Sequence, residues 1–182
     1  PIVSLMLSFL VFGLGFVARP LGGFIFGRLG DRLGRKNVLS LTVILMGAST
    51  FIMGILPGYQ TIGLAAPIIL TIVRLGQGIS AGGEWGSAVS FLGESAKPNN
   101  RAFIVSFSQV GSALGLLLGS ILGLICTRLM SQETLIAWGW RPVFLFGIVI
   151  AIFGYFMRRG VEETPVFKDK QEAGNIIKSP LT

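Results

Sequence analysis

GRLGDRLGRK, residues 27–36, places five charged side chains, four of them basic, among three glycines. A phosphate-binding loop, a nucleic-acid patch and a turn flanking a membrane span can each look like this, and the fold depends on which it is. The surroundings decide. The chain of 182 residues is 52% hydrophobic and only 13% charged, whereas soluble domains average about 45–50% apolar and about 25% charged. The net charge of +7 would suit a nucleic-acid binder if the basic residues formed a stripe on polar elements. They lie instead between long apolar runs, so no nucleic-acid partner is expected.

Five stretches are apolar enough to cross a bilayer, which takes roughly 18 or more such residues. The spans fall at about 2–27, 38–56, 65–93, 102–126 and 142–157, giving an all-α membrane protein of five transmembrane helices and a polar tail over 158–182. Pro57-Gly58 and Pro98-Asn99-Asn100 mark turns, because proline fixes φ and glycine or asparagine tolerates positive φ. GRLGDRLGRK is read as the loop between the first two spans. It ends in no GK[ST], so it is not a phosphate-binding Walker loop. GLGFVA and GQGISA match GxGxxA, yet neither follows a strand, so the dinucleotide reading fails as well.

Positive charge orients the spans. The first and third loops and the tail hold four (Arg28, Arg32, Arg35, Lys36), two (Lys97, Arg101) and five (Arg158, Arg159, Lys168, Lys170, Lys178) basic residues. The second and fourth loops hold none and two (Arg128, Arg141). The positive-inside rule then puts the loop 28–36 and the tail 158–182 in the cytoplasm. Trp138 and Trp140 suit an aromatic belt at the outer interface. An apolar run that begins at Pro1 without a basic leader reads as a chain starting partway into a longer protein.

Arg19, Arg74 and Glu84 fall inside spans, where a charge costs roughly 2.5–3.5 kcal/mol near the helix centre. Such residues normally face a polar interior with a task there. Arg19 can alternatively snorkel to the headgroups, and Glu84 can sit in a structural pair with an arginine. Arg74 and Glu84 differ by roughly 80° around one helix, so both can border one cavity. Gly78, Gly82 and Gly86, and Gly111, Gly115, Gly119 and Gly123, recur every fourth residue and are read as packing ridges. With no histidine and a single cysteine, Cys126, neither a Ser-His-Asp triad nor a thiolate metal cluster can be built. No enzyme activity, cofactor or metal is expected.

Taken in order, the motifs resemble the amino-terminal half of a major facilitator superfamily transporter. GRLGDRLGRKNVL resembles the signature between the second and third helices, with Gly27, Asp31, Arg32, Gly34, Arg35 and Lys36 on its positions. RLGQG at 74–78 resembles the fourth-helix signature, and Glu94 with Arg101 resembles an acid and arginine pair at the ends of helices four and five. RPLGG at 19–23, PGYQTIGLAAP at 57–67, GGEWG at 82–86, WGWRP at 138–142 and EETPVF at 162–167 resemble the metabolite:proton symporter branch. That branch carries shikimate, 2-oxoglutarate, citrate and proline or betaine.

The resemblance implies part of a secondary transporter in a bacterial inner membrane, moving a small organic acid or zwitterion with protons by alternating access. Helices two to six would be present here, helix one and the carboxy-terminal half absent. Arg74, Gln77 and Arg19 would serve the substrate, with Glu84 as a proton or ion-pair partner. Asp31 would meet a helix of the other half, and Arg35, Glu94 and Arg101 would form an ion-pair network that opens with the inner gate. The competing reading is a truncated, non-transporting membrane fragment or assembly component.

Overall fold

The computed structural model describes residues 2–172; Pro1 and the end of the expected tail, with Lys178, lie outside the described residues. Every regular element among these is helical. The first two, α1 (Ile2–Val17) and α2 (Arg19–Leu33), form one helical rod interrupted only at Ala18. Pro20 stands at the start of α2 and removes a backbone donor there, while Ala18 stays in the αR region and still donates to Leu14 O at 3.0 Å. Then come α3 (Arg35–Ile55), a single turn α4 (Tyr59–Ile62), α5 (Ala65–Ser95), α6 (Arg101–Leu129), a turn α7 (Gln132–Thr134) running into a π-type turn Leu135–Gly139, α8 (Arg141–Arg159) and α9 (Pro165–Glu172). Among the described residues, five helical stretches are long and apolar enough to cross a membrane: Leu5–Leu33, Arg35–Ile55, Ala65–Ser95, Pro98–Leu129 and Arg141–Arg159.

The main departure from the sequence reading concerns GRLGDRLGRK. It is not a loop: α2 continues through Leu33, α3 begins at Arg35, and only Gly34 is non-helical, with φ +93°. Apolar content stops near residue 27, but backbone hydrogen bonding does not need it to continue. Arginine and leucine are good helix formers, and 29 residues at 1.5 Å each span about 44 Å, beyond the roughly 30 Å of a hydrocarbon core. The charged end of α2 therefore reads as helix projecting past the apolar zone. Gly34 alone makes the reversal, because only glycine enters positive φ without a Cβ clash.

The bundle is organised by α3 and α5. Its small core includes Val38, Thr42, Ser80 and Thr164, all with no exposed surface, whereas large side chains such as Phe9, Leu116 and Phe153 are exposed, as on a helix turned to lipid. Close approach of α1 and α2 to α5 depends on glycine. A Cβ on Gly78 would strike the Gly15 backbone, one on Gly82 the Arg19 backbone, and one on Gly22 the Ile79 backbone. Gly86, and Gly111, Gly115, Gly119 and Gly123 on α6, have nothing within 4 Å; the expected ridge is realised on α5 only in part and on α6 not at all among the described residues. α3 meets α8 through Gly47 against Ala151 and Gly147 against Thr50.

Candidate functional site

α1, α2, α3 and α5 line an open recess of about 160 Å³ that Arg19, Arg74 and Gln77 border with Phe12, Phe16 and Met46. Arg74 and Gln77 lie three apart on α5, so they share a helix face. Arg74 Nη1 donates to Gln77 Oε1 at 3.2 Å, and Gln77 Nε2 donates to Thr50 Oγ1 on α3 at 2.9 Å. Thr50 Oγ1 in turn donates to Met46 O at 2.8 Å. This directed chain sets the amide orientation of Gln77, and the amide oxygen holds the guanidinium. Arg74 stands 5.6 Å from the Phe12 ring centre and Arg19 4.1 Å from that of Phe16, with the two rings edge to face at 5.2 Å. Two cations thus sit over π faces, an arrangement that offsets part of their desolvation. Guanidinium donors in an apolar recess are suited to a carboxylate, which they can hold through two parallel bonds.

Glu84 does not border this recess. Its Oε1 accepts from Arg158 Nη2 on α8 at 2.5 Å. The structure therefore separates Glu84 from Arg74, which the sequence reading placed around one cavity.

The second polar cluster surrounds Gly34. Arg35 Nη2 donates to Asp31 Oδ1 at 2.9 Å and Arg35 Nε to Glu94 Oε1 at 3.3 Å. Glu94 Oε2 accepts from Thr164 Oγ1 at 2.8 Å. Both carboxylate oxygens of Glu163 face the backbone N–H of Lys36, at 3.1 and 3.2 Å, and Glu163 also accepts from Thr164 N. Lys36 thus enters through its backbone. Arg101 does not join: it is exposed and makes no ion pair among the described residues. It opens α6 directly after the turn Pro98–Asn100, and the second oxygen of Glu94 is taken by Thr164. Gly27 lies within α2 with open space at its Cβ position. Arg32 borders a shallow hollow of about 350 Å³ with Phe24, Ile25, Arg28 and Leu29.

Sequence reasoning missed Arg158, Glu163 and Thr164. A signal existed for the last: Thr-Pro is a helix-start pattern, the threonine capping and the proline at the first helical position. Thr164 Oγ1 accepts from Phe167 N at 3.3 Å while Pro165 opens α9. Nothing local in the sequence pointed to Glu94 as its other partner. Beyond the cluster, Glu162 and Lys168 pair at 2.7 Å on the surface. The hydrogen bond and charge of Lys168 hold the Glu162 carboxyl below its ordinary pKa, and Glu162 raises that of Lys168.

Compared with known proteins, the chain matches the family described as Sugar (and other) transporter over residues 4–177. It is 41% identical over 181 residues to the inner membrane metabolite transport protein YhjE of Escherichia coli, covering 100% of this chain and 41% of that protein. To the shikimate transporter of Escherichia coli it is 46% identical over 171 residues, 94% of this chain and 39% of the other. To a proline/betaine transporter of Salmonella typhimurium it is 38% identical over 178 residues, 96% and 36% respectively. Among solved structures, the major facilitator proton:xylose symporter XylE bound to 6-bromo-6-deoxy-D-glucose superposes with a TM-score of 0.79 at 20% identity, over 90% of this chain and 36% of that one. The inward-open form of XylE from Escherichia coli gives 0.77 at 22% identity, over 90% and 39%. That likeness establishes the fold: the chain takes the major facilitator fold over the part of it that it covers. It spans about two fifths of the length of the first relatives named, 41% and 39%.

Proposed function

This chain belongs to the sugar (and other) transporter family, and from that premise we propose that it supplies part of a secondary transporter moving a small organic acid or zwitterion across a bacterial inner membrane. The observation that carries this reading is Arg74, held by Gln77 at the edge of a recess it shares with Arg19. A carboxylate entering there replaces water around two guanidinium groups with charge-assisted hydrogen bonds. Relatives named for shikimate and for proline or betaine, which are small carboxylated solutes, support that substrate class.

In this reading the Gly34 end faces the cytoplasm, as the excess of basic residues there favours. Transport proceeds by alternating access, two halves rocking about a site near the midplane, and proton symport drives it. The Asp31, Arg35 and Glu94 cluster is the group of contacts that yields when the inner side opens.

Uptake of labelled shikimate, 2-oxoglutarate and glycine betaine by vesicles holding the full-length protein tests the proposal. An imposed inward proton gradient is expected to accelerate uptake of at least one, and a protonophore to abolish the acceleration. Correctly inserted protein that neither binds nor moves any carboxylated solute of the panel supports instead the reading of a non-transporting membrane component.

A further inference from the structure

Glu84 is an acid inside a membrane-spanning helix, and the cavity reading leaves it without a task. Its surroundings supply one. Ser80 and Glu84 lie four apart on α5 and so point the same way. Ser80 Oγ donates to Thr42 O on α3 at 2.5 Å. Thr42 Oγ1 donates to Leu39 O at 3.0 Å, and that same carbonyl accepts from Arg158 Nη1 on α8 at 2.6 Å. With Arg158 Nη2 on Glu84, one guanidinium fastens α8 to a carboxylate of α5 and a carbonyl of α3. The pair is partly buried, with Glu84 and Arg158 side chains 30% and 26% exposed.

Arg158 is also the next to last residue of α8. Its own carbonyl accepts from Val161 N at 3.3 Å as the chain leaves the helix. Five and six residues on, Glu163 meets the Lys36 amide and Thr164 meets Glu94. The clamp therefore stands at the root of the segment that closes on the Gly34 turn. A chain of five residues inherits its direction from its fixed end, so where Arg158 is held determines where Glu163 and Thr164 arrive.

We propose that Glu84 is a positioning residue: through Arg158 it anchors the end of α8 and thereby sets the 160–164 segment against the Gly34 turn, and it carries no transported proton. The anchoring depends only on contacts within this bundle and is read by distances; that Glu84 carries no transported proton rests on the proton-coupled transport proposed above.

Spin labels at the exposed positions 37 and 169 of the full-length protein, with Cys126 replaced by serine, report the segment against the turn. A second pair at positions 59 and 132 reports the opposite end of the bundle. Glu84→Ala and Arg158→Ala are each expected to broaden the 37–169 distance distribution and leave the 59–132 distribution narrow. An unchanged 37–169 distribution overturns the proposal, and so does broadening of both pairs together, which indicates general loosening. Should the alanine variants fail to insert, Glu84→Gln decides, since its amide oxygen still accepts from Arg158. Retained proton-driven uptake in that variant agrees with positioning; loss of proton-driven uptake with substrate exchange intact makes Glu84 a proton carrier and removes the proposal.

Discussion

Arg35 and Glu94, 59 positions apart in sequence, meet at 3.3 Å through Nε, with Asp31 at 2.9 Å on Nη2 of the same guanidinium. One cation between two carboxylates makes the cluster asymmetric. Removing Arg35 leaves two acids facing each other, whereas removing either acid leaves a pair. Charge-assisted bonds of this kind are worth about 1.5–3 kcal/mol each. Arg35→Ala is expected to lower the thermal unfolding midpoint in detergent more than Asp31→Asn or Glu94→Gln. Equal losses across the three would show that the carboxylates do not depend on Arg35.

Gly82 and Gly58 make a paired test of the glycine packing. A Cβ on Gly82 meets the Arg19 backbone, which has no rotamer to move, and one on Gly58 meets nothing. Overpacking of this sort costs about 1–3 kcal/mol, so Gly82→Ala is expected to destabilise the bundle clearly. Gly58, at φ −72°, accepts alanine without strain, and its replacement is expected to be neutral or to stabilise by about 0.4–1 kcal/mol. Unfolding midpoints of the two variants measured side by side check this, and parity between them would refute the close helix approach.

The helices and the cavity arginine were legible because they rest on local or periodic signals: apolar runs of membrane length, and charge in places where it is expensive. GRLGDRLGRK misled because glycine and charge both mark loops in soluble chains, while a helix that projects past the bilayer needs neither apolarity nor an end. What fixes the turn is the single positive φ at Gly34, a property of one residue among three glycines of that stretch. The pairings of Glu84 with Arg158 and of Glu94 with Thr164 join residues 74 and 70 positions apart, and no periodicity in one chain encodes them. Arg101 was placed by family pattern; the turn at Pro98-Asn99-Asn100 was legible, but nothing local indicated that Arg101 would make no ion pair among the described residues.

Glu162 and Glu163 are neighbours with opposite expectations. Glu162 pairs with Lys168 on the surface, and Lys168 lowers its pKa. That contribution is present above the ordinary glutamate value of about 4.3 and is lost as pH falls through the lowered one. The raised pKa of Lys168 makes its contribution complete below about 10.4, lost only as pH rises through the raised value. Across neutral pH the pair is therefore constant, and water and salt screen it. Glu162→Gln is expected to leave stability and its pH profile from roughly 5 to 9 unaltered. Glu163→Gln, which weakens acceptors facing the Lys36 amide, is expected to lower the unfolding midpoint. Reversed ranking of the two variants in the same scan would place the docking contact on the wrong glutamate.

In the proposed reading, the substrate site turns on Arg74. Its guanidinium is steered by Gln77, itself steered by Thr50, so three substitutions should fall in a graded order. Arg74→Ala removes charge-assisted bonds worth about 1.5–3 kcal/mol and is expected to raise the apparent Kd for a carboxylated substrate roughly 10- to 150-fold. Arg74→Lys keeps the charge without the planar fork and is expected to fall between alanine and the parent. Thr50→Val releases only the Gln77 amide, a neutral bond worth about 0.5–1.5 kcal/mol, and so weakens binding by about 2- to 10-fold. Isothermal titration of the full-length protein reads all three. A lysine variant as strong as the parent would mean that charge alone is recognised, and an indifferent alanine variant would move the substrate away from this recess altogether.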